Sequence, residues 1–376
     1  MVVMLSRRAV LLSLAPAAAT AIRPSFVVAA PRANRIFIGT SGKVSKGIYT
    51  AAWNSTTGEL GDITLATEVA SPSFLAIEGN HLYACSELSG EGKASAFSIT
   101  SSGLTKLNEQ PSMGAGTTYI SAKNRGVFVA NYGGGSVTSF HTLPDGSLSK
   151  PVSHIQFEGS GPNRERQDRS HAHSALSSPD GRFLLVNDLG LDRIVIYRVN
   201  SATSELTPND PPYFSSRPGV GPRHIAWHPN HRWLYSVNEL DSTVDLLDWN
   251  SSAGTLTQRA FFSTLDPAFP KNTAFAGEIA ISSDGRFLYV GNRVASDTLA
   301  VFSIDAKSGG LHLEQLAPNG GKNTRFCTLD PTGRWMLLCN QNSNALVVLA
   351  RDPATGKLSE PKHTYSIDKP QCVVFV

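Results

Sequence analysis

The sequence predicts an all-β fold, a seven-bladed β-propeller whose ring closes by pairing of its N- and C-terminal strands. Three observations carry that reading. Beyond residue 34 no long stretch has helical periodicity, and short Val/Ile/Leu/Phe/Tyr runs alternate with Gly, Pro, Asn and Asp clusters. One unit of turn, strand, Asn, strand, turn recurs along the chain. An apolar strand without a partner stands at each end of the repeats: Arg35-Ile36-Phe37-Ile38-Gly39-Thr40 at the start, Gln371-Cys372-Val373-Val374-Phe375-Val376 at the finish.

The turns fix the units. Proline presets φ and glycine accepts positive φ, so Ser178-Pro179-Asp180-Gly181, His228-Pro229-Asn230-His231 and Asp330-Pro331-Thr332-Gly333 read as hairpin turns, with Ser283-Asp284-Gly285 a shorter version. Strands follow them at Phe183–Val186, Trp233–Val237, Phe287–Val290 and Trp335–Cys339. A second mark permits a count: near the end of each unit a small or polar turn leads into Leu60, Leu104, Leu148, Leu206, Leu256, Leu311 and Leu358. The steps between these leucines are 44, 44, 58, 50, 55 and 47 residues. Four strands with their turns need roughly 40–50 residues, the size of one propeller blade. Seven leucines therefore imply seven blades, and pairing the two end strands within one blade closes the ring and removes both free edges.

Composition agrees. Of 376 residues 41% are hydrophobic, and 17 Phe, 9 Tyr and 5 Trp can fill a core, which excludes a disordered chain. A net charge of +3 gives no reason to expect nucleic acid or a membrane surface as partner. Cys85, Cys327, Cys339 and Cys372 lack C-x-x-C spacing and read as buried thiols. Residues 1–30 read as an export leader, with Ser6-Arg7-Arg8-Ala9-Val10-Leu11 resembling the twin-arginine type. Its apolar run is short for a bilayer span. The expected organisation is thus a leader over 1–30 and one propeller over 31–376, periplasmic or secreted, with a cytoplasmic protein the alternative.

Antiparallel pairing brings the loop leading into each blade's first strand beside the end of its second strand. Counting six residues back from the turn proline gives His173, Arg223 and Arg325; the matching slot before Ser283 is Gly277, followed by Glu278. Second strands end at Asn131-Tyr132, Asp188, Asn238-Glu239, Asn292-Arg293 and Asn340-Gln341. Charged and imidazole groups at one mouth of the channel, over apolar strand interiors, suit an anion-binding pocket with acid–base groups. His171 and His173 are too weak a pair to call a metal site. Gly133-Gly134-Gly135 reads as a strand connection, since no helix follows it. The run Arg164-Glu165-Arg166-Gln167-Asp168-Arg169 is a loop from which Arg166 is a candidate ligand. Arg223 and Glu239 should face each other at one hairpin's open end. As a merely structural pair they would be partly exposed and worth roughly 0–1 kcal/mol.

The segments Ser170-His171-Ala172-His173-Ser174, Gly221-Pro222-Arg223-His224, Asn238-Glu239-Leu240-Asp241-Ser242-Thr243-Val244 and Ala130-Asn131-Tyr132-Gly133-Gly134-Gly135-Ser136 resemble the seven-bladed lactonase family. That family holds propeller-type 6-phosphogluconolactonase and the fungal carboxy-cis,cis-muconate cyclase, and the resemblance spans about residues 35 to 376. It implies a catalytic set of His173, Arg223 and Glu239, with Arg293 as a further arginine for the substrate; Arg325, Asn131, Tyr132, Arg166 and His171, read from the mouth positions and their neighbouring loops, are the other substrate-binding candidates. The implied substrate is a small anionic lactone or sugar acid, opened without cofactor or metal. His173 would be the base, the arginines would bind the anion and oxyanion, and Glu239 would orient Arg223 or, with a raised pKa, protonate the departing alkoxide. A muconate-type lactonising cyclase and a non-catalytic ligand-binding propeller are the alternatives. Where family members often carry a His, this chain has Thr117-Thr118-Tyr119. No G-x-S-x-G elbow is present to support an acyl-enzyme.

Overall fold

Residues 34–270 and 273–376 are described by a computed structural model; the leader expected over 1–30 lies outside them. The chain winds into seven antiparallel sheets. Six are consecutive four-stranded meanders that start with Pro72–Glu78, Thr117–Lys123, Ala172–Ser177, Pro222–Trp227, Ala274–Ile281 and Thr324–Leu329. The seventh joins the chain ends: Pro370–Phe375 is its first strand and pairs with Arg35–Thr40, followed by Gly47–Asn54. Ile36 faces Phe375, Phe37 faces Val374 and Ile38 faces Val373, the closure that the two orphan strands predict. First strands of neighbouring blades touch in an unbroken cycle, with Pro370–Phe375 returning to Pro72–Glu78.

The core is a set of seven apolar layers, each between two adjacent sheets. One strand shows how the sequence does this. In Trp233-Leu234-Tyr235-Ser236-Val237 the odd residues pack against the following blade, while Leu234 packs against the preceding one. Both faces are buried, so the run reads as continuously apolar although its side chains alternate.

The seven counted leucines sit at or beside the start of the outermost strands; Leu148 does so through a bridge to Thr142. The turns before them lock blades together. Gly309 takes φ +76° and lies against Trp233 of the previous blade, where a Cβ would come within 2.8 Å of the indole. Its carbonyl accepts from the Tyr235 hydroxyl at 2.7 Å, and Tyr289 and Tyr83 repeat the contact on Gly356 and Gly146. The Pro/Asp–Gly hairpins form as read, with positive φ at Gly181, His231, Gly285 and Gly333. All four cysteines are free and buried. No helix among the described residues is long and apolar enough to cross a membrane.

Candidate active site

Each first strand carries an irregularity at the same end. The register slips at Ser73, Thr118, His173, Arg223, Gly277-Glu278, Arg325 and Gln371, so each blade has one or two extra residues opposite its second strand. A bulge re-aims the side chain it frees from the ladder. The slots holding His173, Arg223 and Arg325 are therefore bulge positions, and the ends of the second strands supply the facing groups.

These groups meet in a cavity of about 190 Å³ lined by Glu87, Thr118, Tyr132, Arg166, His173, Glu239, Arg293 and Arg325. Glu239 is its electrostatic centre. One carboxylate oxygen accepts from Arg166 Nη2 at 2.5 Å, the other from Arg293 Nη2 at 2.5 Å. Arg223 Nε lies 3.2 Å from the second oxygen, and Arg223 Nη1 donates to the Gly277 carbonyl at 2.8 Å. The expected facing of Arg223 and Glu239 is thus present. The pair is not partly exposed, however: Arg223 is 1% and Glu239 3% exposed. Burial by itself would raise the Glu239 pKa, but Arg293, Arg223 and Arg166 outweigh it and hold it at about 2. Glu239 is therefore an ionised organiser of three guanidiniums, and the raised pKa needed for it to protonate a leaving group is absent.

His173 Nε2 stands 3.9 Å from Glu239 Oε2, while its Nδ1 is 3.2 Å from His224 Nε2. His224 Nδ1 in turn lies 3.0 Å from both Glu278 oxygens. Burial, and after it the charge of Arg223, holds both histidines below the ordinary imidazole pKa, His224 at about 4. His173 is thus neutral at pH 7, the state a base requires. Beneath it Phe74, Tyr119, Phe326 and His224 form an aromatic floor, with Phe74 and Tyr119 centroids 4.3 Å apart.

Arg325 differs from the other arginines. It donates to Thr118 Oγ1 at 3.0 Å and forms no ion pair among the described residues, leaving one cation of the cavity without a carboxylate. Tyr132 lines the wall, stacked on His171 at 4.5 Å. Arg166 alone of its basic run reaches inward, over Phe275, while Arg164 and Arg169 are exposed.

Three candidates do not line the cavity: Arg223, buried at 1% exposure against Glu239, and Asn131 and His171. Asn131 is fully buried, donates to the Ser112 carbonyl and Ser136 Oγ and accepts from Thr117 Oγ1, so both amide hydrogens and its oxygen are engaged in joining strands. His171 is held between the Tyr132 carbonyl and Asp168 and supports Tyr132 from behind. The residues the sequence reading left without a role are His224, Glu278, Thr118 and Glu87. Among the described residues no group of three His, Cys, Asp or Glu side chains is placed to hold a metal ion.

Residues 35–375 match the family described as Lactonase, 7-bladed beta-propeller. The chain belongs to this family. A 6-phosphogluconolactonase of Bacillus subtilis is 33% identical over 90% of this chain and 97% of its own length. Another, from Formosa agariphila, is 32% identical over 86% of this chain and 94% of its own. The solved periplasmic gluconolactonase of Pseudomonas aeruginosa superposes with a TM-score of 0.86 at 29% identity, covering 91% and 98% of the two chains. By family and by relatives the chain is a lactonase of the 6-phosphogluconolactonase-like kind.

Proposed function

We propose that this lactonase hydrolyses the lactone of a sugar acid, with His173 as general base and an anionic substrate group on Arg325. The observation that supports the reading is the meeting of a buried neutral imidazole with three guanidiniums in one cavity. Water held by His173 Nε2 attacks the lactone carbonyl carbon and gives up one proton to the ring. Arg293, held by Glu239, stabilises the oxyanion of the tetrahedral intermediate, and the buried Arg223 adds its positive field from outside the cavity. As the ring C–O bond breaks, the imidazolium returns its proton to the departing alkoxide. One water is consumed and a hydroxy acid leaves. His173 by itself is a weak base because burial and the surrounding arginines depress it. An anion on Arg325 offsets part of that positive field and strengthens the base where it is needed.

Residues 1–30 act, on this reading, as a twin-arginine export leader, which delivers the enzyme out of the cytoplasm. Replacing Arg7-Arg8 with Lys-Lys should hold the protein in the cytoplasm; unchanged export overturns the assignment. The activity is tested by a pH-stat assay of gluconate lactones, phosphorylated and not, on wild type and His173→Ala. At least one lactone should open, with turnover down about 10²-fold or more in the variant. Inactivity on both classes, or an unimpaired variant, overturns the reading.

A further inference from the structure

Resting on the lactonase reading, we propose that Glu278 and His224 are positioning residues. They form a relay that fixes the proton of His173 on Nδ1 and keeps the Nε2 lone pair turned to the cavity.

The argument is one of donors and acceptors. An ionised carboxylate can only accept. With both Glu278 oxygens 3.0 Å from His224 Nδ1, that nitrogen must carry the hydrogen and donate. Neutral His224 then has a bare Nε2, 3.2 Å from His173 Nδ1, and the contact is satisfied only if His173 Nδ1 donates. The remaining nitrogen, His173 Nε2, is left with its lone pair. Glu239 Oε2, 3.9 Å away, is a carboxylate oxygen and cannot donate to it. The opposite order would set a bare His224 Nδ1 against two carboxylate oxygens, acceptor against acceptors, in a site closed to water.

The surroundings hold this order in place. His173, His224 and Glu278 come from three successive blades, at or beside the bulges of their first strands. Glu278 Oε1 also accepts from the Ile279 N–H at 3.1 Å, which pins the carboxylate. Burial would raise the Glu278 pKa, but His224 and Arg223 bring it below the ordinary value, so the carboxylate is ionised. His224 is wedged edge-on against Phe74 and Tyr119, with centroids 5.8 and 5.0 Å away, and cannot turn without displacing the floor.

The test reads the proton itself. Long-range ¹H–¹⁵N spectra of histidine-labelled wild type should give His173 a bare Nε2 and a protonated Nδ1. His224→Phe suits the aromatic floor but removes the acceptor, so His173 should become a mixture of tautomers. Its kcat should fall about 10²-fold while KM stays within about threefold. His224→Gln, whose side-chain oxygen can accept from Nδ1, should recover at least about tenfold of that loss. Glu278→Gln covers the case in which His224→Phe does not fold: its amide presents either an oxygen or an NH₂ to His224, and it should also mix the tautomers. A protonated Nε2 in wild type, or a single unchanged tautomer in these variants, overturns the relay. The spectra decide this even if no lactone is opened, so failure of the relay and failure of the lactonase reading are told apart.

Discussion

Glu239→Gln changes one charge and almost no volume, at the point where the site is most tightly bound. The carboxylate is buried and in contact with Arg166, Arg293 and Arg223, and the last two are buried as well, at 8% and 1% exposure. Neither Arg223 nor Arg293 has another ion-pair partner among the described residues. Removing one member of a buried ion pair costs about 3–5 kcal/mol, because the other charge stays buried and unpaired. Gln keeps one acceptor oxygen, which puts the expected loss near the lower end, about 3 kcal/mol. The depression of the Glu239 pKa from 4.5 to about 2 points to a similar size at ~1.4 kcal/mol per unit. With ~2.1 cal/mol/K of unfolding entropy per residue over ~340 ordered residues, the melting temperature should drop by about 4 °C. That is well beyond the 0–1 kcal/mol of an exposed pair. Calorimetry at pH 7 measures it, and added inorganic phosphate should restore part of the loss in the variant and little in wild type, since an anion can occupy the vacated charge. A variant that melts with wild type would refute the claim that Glu239 neutralises the arginines. Lost stability with an unchanged turnover number would remove Glu239 from the active site.

Three further outcomes follow from the same geometry. Arg325→Ala deletes a cation that has no carboxylate partner, so melting should hold while KM for an anionic lactone rises roughly ten- to a hundredfold, from loss of charge-assisted hydrogen bonds of about 1.5–3 kcal/mol; an unchanged KM, or an equal rise for a neutral lactone, counts against the anchor. Deleting residues 371–376 removes almost the whole first strand of the closing blade, including buried Cys372 and Val373, and should unfold the ring in one transition at much lower temperature; an unaltered melt would contradict the closure. His173 and His224 are held below the ordinary pKa of 6.5, and below that pH the unfolded chain takes up protons that the folded chain refuses. Stability should therefore fall as pH drops from about 6.5 towards 4, by up to ~2.7 kcal/mol per pH unit for the two protons, with His141 and His154 shifted in the same direction; a flat profile between pH 6 and 5 in urea titrations would contradict their burial as neutral groups.

The blade count was legible because its marks are steric. A positive φ is needed where the outer turn backs onto an aromatic ring of the previous blade, so glycine recurs there and the following Leu dips into the layer. Closure was legible because an edge strand such as Arg35–Thr40 has to be covered. Strand orientation was not: with both faces buried, Trp233–Val237 looks apolar throughout, and which side chains meet which neighbour depends on the ring. An asparagine at a strand end reads as a ligand as much as a tie, and it is the hydrogen bonds of Asn131 to Ser112, Ser136 and Thr117 that show it tying strands.

The site itself follows a spacing that the structure explains. The strand between hairpin turn and open end has nearly constant length, so the bulge lies six residues before the turn's second residue in six blades. From Gly79, Asn124, Pro179, Pro229, Ser283 and Pro331 the count gives Ser73, Thr118, His173, Arg223, Gly277 and Arg325. Proline-marked turns exposed three of these; the two-residue turn at Asn124-Arg125, with both φ positive, hid Thr118. Gly277 offers no side chain, and the second residue of its wider bulge, Glu278, takes over. His224 follows its slot by one position, where strand alternation alone would turn it from the cavity. Yet His173, His224 and Glu278 are separated by 51 and 54 residues, one blade step each time. In a ring whose first strands lie side by side, side chains one repeat apart at one level are neighbours. The repeat that counts the blades therefore also marks which distant residues can pass a proton order from one to the next.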